Sequence, residues 1–231
     1  MATHKSHSTA ILVFARSSKE EQMQKNINNG IELFNVLTEH TLHTVGKTGI
    51  PYFHYTENEQ NGDNFGERFT NAIQSVFDKG FDRIITIGND SPQLKRGHIE
   101  DAFHQLDTKK VVLGPSIDGG FYLLGLRKEQ FEPTIFRELP WQTSQLTSQL
   151  KKHFFANGIQ LIQLQWLYDI DDRKDLLSIS KLTQSLDAIV LHTILLCLRE
   201  NYLNFKIGSL PIWDLQTRIP QNRGSPLFHW T

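Results

Sequence analysis

The chain has 231 residues, with 24 Lys or Arg and 25 Asp or Glu, so its formal net charge is −1. No basic excess marks an electrostatic footprint for nucleic acid, which is therefore excluded as an expected partner. The single cysteine excludes an intrachain disulfide framework, and no apolar run approaches the ~18 residues of a membrane span. The polar start, residues 1–8, and the short apolar stretch 10–15 do not have the pattern of a signal peptide. We expect a cytoplasmic, globular protein.

Strand and helix patterns alternate along most of the chain. Compact apolar runs predict buried strands, and apolar residues at helical spacing predict the helices between them. A charged loop is expected between the first strand and the first helix. This alternation predicts an α/β fold with a mainly parallel sheet and helices on both faces. The predicted strands are 10–14, 51–55, 83–87, 111–113, 121–126 and 159–167, and the predicted helices begin near residues 31, 65, 99 and 146.

The segment after about Leu177 has a different character. Apolar residues from Leu186 to Leu198 predict a strongly apolar helix, which a tail of residues 210–231 follows. This helix either packs back onto the main domain or forms a homodimer contact, and composition does not separate the two. We predict a main domain of residues 9–177 and a C-terminal helical extension and tail of residues 178–231.

Two short loops carry aspartates directly after apolar runs. Residues 88–92 contain Asp90, and residues 169–172 contain Asp169 and Asp171. Open α/β sheets place their ligands at the carboxyl ends of strands, and carboxylates there suit Mg²⁺ or Mn²⁺ bound to phosphates. A structural alternative exists for each loop, because Asn-Asp-Ser-Pro forms turns by itself and Asp commonly caps a following helix. Both interpretations stay open at this point.

Two further motifs also have both a structural and a functional interpretation. Asp118, Gly119 and Gly120 either form a hairpin turn or let the backbone approach a ligand while the carboxylate accepts from a hydroxyl. Gly66 and Arg68 open a predicted helix, where backbone amides and a guanidinium suit an anion, although an ordinary surface Arg explains the pattern equally well. The sequence has no Gly-x-Ser-x-Gly elbow, Walker loop or Gly-x-Gly-x-x-Gly motif, so hydrolase, P-loop and Rossmann functions lack support.

Taken in order, these motifs resemble the DUF2064 family, whose members are described as GT-A-type glycosyltransferase-like or nucleotide-diphospho-sugar transferase-like proteins. The resemblance spans about residues 10–176, and its most specific part is the Gly-Pro…Asp-Gly-Gly-Phe-Tyr block. It implies a GT-A-like three-layer α/β/α sandwich. The matching segments are Gly-Glu-Arg at 66–68, Gly-Asn-Asp-Ser-Pro-Gln-Leu at 88–94, the block at 114–126, Pro-Trp-Gln-Thr at 140–143 and the acidic loop with Asp-Leu at 169–176.

The resemblance also implies a function and roles for particular residues. The leading function is metal-dependent glycosyl transfer from a nucleotide-diphosphate sugar to an unknown acceptor. The alternatives are a nucleotidyltransferase on the same fold and a non-catalytic nucleotide- or sugar-binding protein. By analogy with cytidylyltransferases of the wider fold, Asp90 and Asp171 would hold Mg²⁺ or Mn²⁺, and Asp90 and Asp118 would be catalytic. Nucleotide or substrate contacts would come from Arg16, Lys25, Gly66, Arg68, Gly119, Gly120 and Trp141.

The chain departs from the family pattern after the first strand. Family members usually have a loop like Lys-x-Pro-x-x-Gly-x-x-Lys-Thr-Arg-Leu there, whose glycine and basic groups would cradle phosphates. Here Arg16 and Lys25 stand in for the basic groups, the glycine is absent, and Glu20 and Glu21 have entered. These carboxylates would repel a phosphate tail unless they point away from it. The non-catalytic alternative follows from this departure.

Overall fold

The computed structural model describes residues 8–25 and 27–208, with side chains as far as residue 199. The described residues form a six-stranded sheet of order β2-β1-β3-β5-β4-β6. Strand β5 is antiparallel to both neighbours, and the other pairings are parallel. The predicted mainly parallel sheet is confirmed. The strands are β1 (Thr9–Phe14), β2 (Tyr52–Tyr55), β3 (Arg83–Ile87), β4 (Val111–Pro115), β5 (Phe121–Arg127) and β6 (Leu161–Gln163).

Helices connect the strands and cover both faces of the sheet. The described helices are α1 (Ser18–Lys25), α2 (Gly30–Gly46), α3 (Phe65–Asp78), α4 (Arg96–Asp107), α5 (Pro133–Glu138), α6 (Leu146–Ala156), α7 (Arg173–Ile179) and α8 (Ala188–Gly208). Short 3-10 turns span Lys128–Gln130 and Thr183–Ser185.

Neighbouring strand residues point to opposite faces, which separates two cores. On one face, Leu124 of β5 packs with apolar residues of α3, α5 and α6, such as Ile73 and Leu150. On the other face, Leu123 packs with Ile99 of α4 and with the end of α2. This period-two alternation is what a sheet covered on both faces requires. The predicted three-layer α/β/α architecture is therefore confirmed.

The prediction of a charged loop after β1 is wrong, because helix α1 occupies that segment. Ser17 fixes the start of this helix: its hydroxyl donates to Glu57 Oε1 at 2.7 Å, and its backbone N–H donates to Glu57 Oε2 at 2.7 Å. The Ser17 hydroxyl also accepts from the backbone N–H of Glu20 at 3.4 Å. A Ser followed three residues later by a Glu is an N-terminal helix signal, so the sequence contained the information.

The last predicted strand, residues 159–167, is shorter in the structure. Strand β6 ends at Gln163, and the chain then stays beside the end of β4 through a single isolated bridge between Ser116 and Leu167. The register of β4 against β5 also shifts at Pro115, which has no N–H to donate. Residues 164–170 follow an irregular path, and the Ile170 N–H donates to the carbonyl oxygen of Asp90 at 3.0 Å.

A third cluster joins the acidic loop to the helices at this end of the molecule. Ile170 is fully buried against Phe34 of α2, Leu176 of α7, and Val190 and Ile194 of α8. Its burial anchors the Asp-Ile-Asp loop, so that the flanking carboxylates face away from this core. The apolar face of α8 is thus covered in part by α2 and α7.

The C-terminal predictions are tested only in part. The chain forms two compact units, residues 1–198 and 199–231, so a boundary at residue 177 stays a prediction. Cys197 is buried, as expected. The predicted tail of residues 210–231 lies outside the described residues, and a homodimer stays a prediction. No helix in the described part of the chain is long and apolar enough to cross a membrane.

Candidate functional site

A cavity of about 420 Å³ lies at the carboxyl ends of β1, β3 and β4. Its size falls within the range of ligand pockets, and its place is where open α/β sheets bind ligands. The charged side chains that line it are unbalanced in sign. Among the described residues, the lining includes two cations, Arg16 and Lys25, and five carboxylates, Glu21, Asp90, Asp118, Asp169 and Asp171.

Lys25, the last residue of α1, lies between the two predicted metal ligands. Its Nζ is 3.0 Å from Asp90 Oδ2 and 3.0 Å from Asp171 Oδ1. It also donates to the carbonyl oxygen of Ile170 at 2.9 Å, and Glu21 Oε2 lies 3.6 Å away. Burial alone would lower the pKa of Lys25, but Asp90, Glu21 and Asp171 outweigh it and raise the pKa above its ordinary value. The ammonium group is charged at any physiological pH.

Asp90 and Asp171 do not follow neighbouring strands, although a carboxylate oxygen of each lies 3.0 Å from Lys25 Nζ. Asp90 follows β3 and Asp171 follows the β6 segment, and β5 and β4 lie between those strands. The chain returns across this gap because the Ile117 N–H donates to the carbonyl of Leu167 at 3.1 Å, and the Ile170 N–H to that of Asp90 at 3.0 Å. An irregular segment, and not strand adjacency, brings the acidic loops together.

Three carboxylates form a tighter group beside the lysine. Among the described residues, Asp118, Asp169 and Asp171 each offer an oxygen, and these atoms lie within 4.8 Å of one another. Burial, and then the charges of Asp90, Asp118 and Asp171, raise the pKa of Asp169 to about 8. Burial also raises the pKa of Asp171, which Lys25 partly offsets. Negative charge at this point is therefore not fully neutralised by the chain's own cations.

Residues 116–120 form a tight turn, and its Asp118 lines the cavity. Gly119 has a φ of +99°, and a Cβ there would lie 2.4 Å from the carbonyl oxygen of Ser144. Asp118 Oδ1 accepts from the Ser116 hydroxyl at 2.6 Å and from the Gly120 N–H at 2.8 Å. The turn thus needs glycine for its backbone, and it holds the Asp118 side chain at the edge of the cavity.

The cavity also has an aromatic wall, formed by Phe14, Phe65, Phe69, Phe121 and Trp141. The Trp141 ring centroid is 5.2 Å from that of Phe65, 5.0 Å from that of Phe69 and 6.0 Å from that of Phe121. Its indole N–H donates to the carbonyl oxygen of Phe136 at 2.6 Å, which fixes the ring. A rigid wall of this kind suits a planar or sugar ligand.

The predicted binding residues divide into two groups. Arg16, Lys25, Gly120 and Trp141 line the cavity, whereas Gly66, Arg68 and Gly119 are not among its lining residues. Gly66 has another explanation, since a Cβ there would lie 2.7 Å from Trp141 Cδ1 and 2.7 Å from the carbonyl oxygen of Arg137. The glycine lets α3 approach the indole. The roles in ligand binding stay predictions for both groups.

Two cavity residues, Glu21 and Asp169, are not among the predicted site residues. Glu21 precedes Lys25 by four residues, which places both on one face of helix α1, whereas the sequence pattern predicts a loop there. Asp169 and Asp171 flank a buried isoleucine, and residues two apart in an extended chain share a side. Each signal was present, and each depended on the local conformation.

The donor set of the three-carboxylate group fits a hard divalent cation. Mg²⁺ and Mn²⁺ prefer carboxylate oxygens, and the raised pKa of Asp169 marks unbalanced negative charge at this point. By contrast, the ammonium group of Lys25 already occupies the space between Asp90 and Asp171. The fit is therefore better at Asp118, Asp169 and Asp171 than at the predicted pair.

Comparisons with known proteins bear on the family and on the fold. A family model described as "Uncharacterized protein conserved in bacteria (DUF2064)" matches residues 46–143, which confirms the resemblance over that segment. No curated protein matches the chain. A solved structure from Desulfovibrio desulfuricans G20, provisionally assigned as a nucleotide-diphospho-sugar transferase, aligns with a TM-score of 0.67 at 21% identity, over 84% of this chain and 95% of that one. This likeness shows a shared fold.

Two further structures are more distant. A Mycobacterium tuberculosis H37Rv protein in complex with manganese aligns at 9% identity with a TM-score of 0.44, over 74% of this chain and 97% of that one. A CMP:2-keto-3-deoxy-manno-octonic acid synthetase in complex with CTP aligns at 12% identity with a TM-score of 0.45, over 78% of this chain and all of that one.

Proposed function

We propose that this protein transfers a glycosyl group from a nucleotide-diphosphate sugar with the help of a divalent cation. The observation that carries the proposal is the group formed by Asp118, Asp169 and Asp171 in the cavity at the carboxyl end of the sheet. The fold is shared with a structure assigned to that class, but fold alone does not decide function. The proposal therefore rests on the chemistry of the site.

Charge is the main reason to include a cation. Five carboxylates and two cations line the cavity, so a diphosphate would meet net negative charge. Mg²⁺ or Mn²⁺ held by Asp118, Asp169 and Asp171 would neutralise the diphosphate and stabilise it as a leaving group. In this proposal the three aspartates bind the cation and orient the diphosphate through it.

The lining of the cavity suits the parts of a nucleotide sugar and its acceptor. Arg16 lies between β1 and α1, and its guanidinium suits a phosphate. Trp141 lines the same cavity with the polar side chains of Gln142, Thr143 and Ser144. Gln142 has a φ of +59°, a left-handed conformation that is uncommon for a non-glycine residue. We assign Arg16 to the diphosphate and Trp141 to the sugar and acceptor.

A specific observation favours a second candidate, a protein that binds a nucleotide sugar without transferring its glycosyl group. Helix α1 replaces the expected phosphate loop, and Glu21 is 7% exposed and lines the cavity. Burial raises the pKa of Glu21, although Lys25 lowers it in part. A carboxylate at this position repels a diphosphate and so weakens its binding and the catalysis that depends on it. Binding of the uncharged sugar is weakened less.

A binding and turnover experiment separates the candidates. We expect uridine or guanosine diphosphate to bind in calorimetric titrations with Mn²⁺ and not with chelator, and we expect slow hydrolysis of the matching nucleotide sugar. Asp169→Asn and Asp118→Asn should abolish both, whereas Asp63→Asn, an exposed aspartate outside the cavity, should change neither. Binding without hydrolysis favours the second candidate, and equal binding with chelator contradicts the metal-dependent mechanism.

A further inference from the structure

We propose that the ammonium group of Lys25 takes the place of a divalent cation between Asp90 and Asp171, and so confines metal to the Asp118 side of the cavity. The inference rests on the proposed function only for the presence of a metal at Asp118, Asp169 and Asp171. It assigns Lys25 a positioning role, distinct from the phosphate contact that the sequence predicted.

The hydrogen bonds of Lys25 are the first support. An ammonium group has three N–H donors, and three acceptors surround this one: Asp90 Oδ2 at 3.0 Å, Asp171 Oδ1 at 3.0 Å and the Ile170 carbonyl at 2.9 Å. The Lys25 side chain is 14% exposed, and its Nζ lies 5.6 Å from the centroid of the Phe34 ring. No donor is left for a phosphate unless one of these contacts breaks.

The chemistry of the acceptors is the second support. Two carboxylate oxygens and a backbone carbonyl oxygen are the ligands that a hard divalent cation takes from a protein, and here they converge on a nitrogen. The ammonium is tied to α1, whose first turn is bound to Glu57 through Ser17. It is therefore a cation that no chelator removes.

Electrostatics then divides the cavity into two parts. Lys25 takes Oδ1 of Asp171, and this carboxylate has a second oxygen for the neighbouring group with Asp118 and Asp169. A second divalent cation at Asp90 would meet the ammonium at contact distance, and like charges that close in a partly buried site repel each other strongly. Asp90 is thus withheld from metal as long as Lys25 is present.

The test counts Mn²⁺ ions by calorimetry and by electron paramagnetic resonance, without nucleotide. Lys25→Met keeps the length of the side chain and removes its charge. We expect this variant to bind one more Mn²⁺ than the wild type, with Asp90 and Asp171 as ligands. Lys19→Met, an exposed position on the same helix, and Lys25→Arg, which keeps the charge, should bind as many ions as the wild type.

Asp90→Asn supplies the second arm. In the wild-type background it should lower the Mn²⁺ affinity by less than about tenfold, because Asp90 is bound to Lys25 and would act on the metal only through its charge. In the Lys25→Met background it should remove the additional ion. A tenfold or larger loss of affinity in Asp90→Asn alone, about 1.4 kcal/mol, would show that Asp90 is a metal ligand beside Lys25 and would overturn the proposal.

The outcomes remain informative in two difficult cases. If Lys25→Met does not fold, Asp90→Asn in the wild-type background still decides, because it leaves the lysine in place. If the wild type binds no Mn²⁺, the proposed metal-dependent function fails, while a gain of one ion in Lys25→Met still supports the substitution. Equal ion counts in a folded Lys25→Met and in the wild type would contradict it.

Discussion

Asp169 is the side chain whose ionisation state depends most on its surroundings in the cavity. Burial and then the charges of three neighbouring carboxylates, Asp90, Asp118 and Asp171, raise its pKa to about 8. A carboxyl group held at such a pKa is protonated in much of the neutral range unless a cation binds. Its state therefore reports on the charge of the whole site.

This raised pKa predicts a pH-dependent stability. The folded protein retains a proton on Asp169 that the unfolded chain releases near its ordinary pKa, so this contribution to stability is complete at low pH. It falls as the pH rises toward about 8 and is then lost. In chelator, Asp169→Asn should melt at increasingly higher temperature than the wild type across this range. Asp63→Asn is the control, and a constant difference across the pH range would contradict the assignment.

Gly66 gives a second prediction for a single residue. A Cβ at this position would lie 2.7 Å from both the Trp141 indole and a backbone carbonyl, so Gly66→Ala should lower the free energy of unfolding by about 1–3 kcal/mol. In Gly97→Ala, also near the start of a helix, the new Cβ meets nothing within 4 Å, and the better helix propensity should leave stability equal or higher. Urea denaturation of both variants measures the contrast, and equal effects would mean that the indole does not pack here.

Among the elements, α1 and α8 contribute to the cavity in different ways. The capped α1 presents Glu21 and Lys25 to the cavity in place of a phosphate loop. The inner face of α8 packs on α2 and α7 and so supports the loop that contains Asp169 and Asp171. Residues 188–198 of α8 therefore support the site through packing.

Alanine substitutions on the two faces of α8 should change the free energy of unfolding by different amounts. Ile194 is fully buried, so Ile194→Ala should cost about 2–4 kcal/mol through lost burial and the cavity that it leaves. Ile189 is 68% exposed, and Ile189→Ala should stay within about 0.5 kcal/mol in dilute solution. Chemical denaturation tests the pair. A large loss at Ile189 that depends on protein concentration would instead support the predicted homodimer.

At the scale of the whole molecule, charge is distributed unevenly. The net charge of the chain is only −1, yet the carboxylates that line the cavity outnumber its cations. An anionic ligand therefore meets local repulsion that the overall composition does not reveal. The cation proposed at Asp118, Asp169 and Asp171 would reverse the sign of this local field.

This distribution predicts the salt dependence of nucleotide binding. In chelator, any residual binding of a nucleoside diphosphate should strengthen or stay constant as salt rises, because ions screen the repulsion over about 10 Å at 0.1 M. With Mn²⁺ present, the interaction becomes attractive, and added salt should weaken it. Titrations at low and moderate salt measure both slopes. Binding in chelator that weakens steeply with salt would show that Arg16 and Lys25 dominate the field of the cavity.

The sequence by itself determined the α/β alternation and the approximate position of most strands. Buried strands covered on both faces are continuous apolar runs, and that pattern is local. The motifs also located Asp90, Asp118, Asp171 and Trp141, all of which line the cavity. The sequence thus determined features that depend on short segments, through their periodicity, their turn chemistry and their family motifs.

Only the tertiary structure decided how the charges pair. Lys25 meets Asp90 and Asp171 across long stretches of chain, and an irregular segment after β6 brings the second acidic loop to a strand that is not its neighbour. Likewise, Gly66 lies against the Trp141 indole, a contact that only the packing of α3 reveals. Coulomb energies and pKa values depend on distance and burial, and neither quantity exists until the chain has folded.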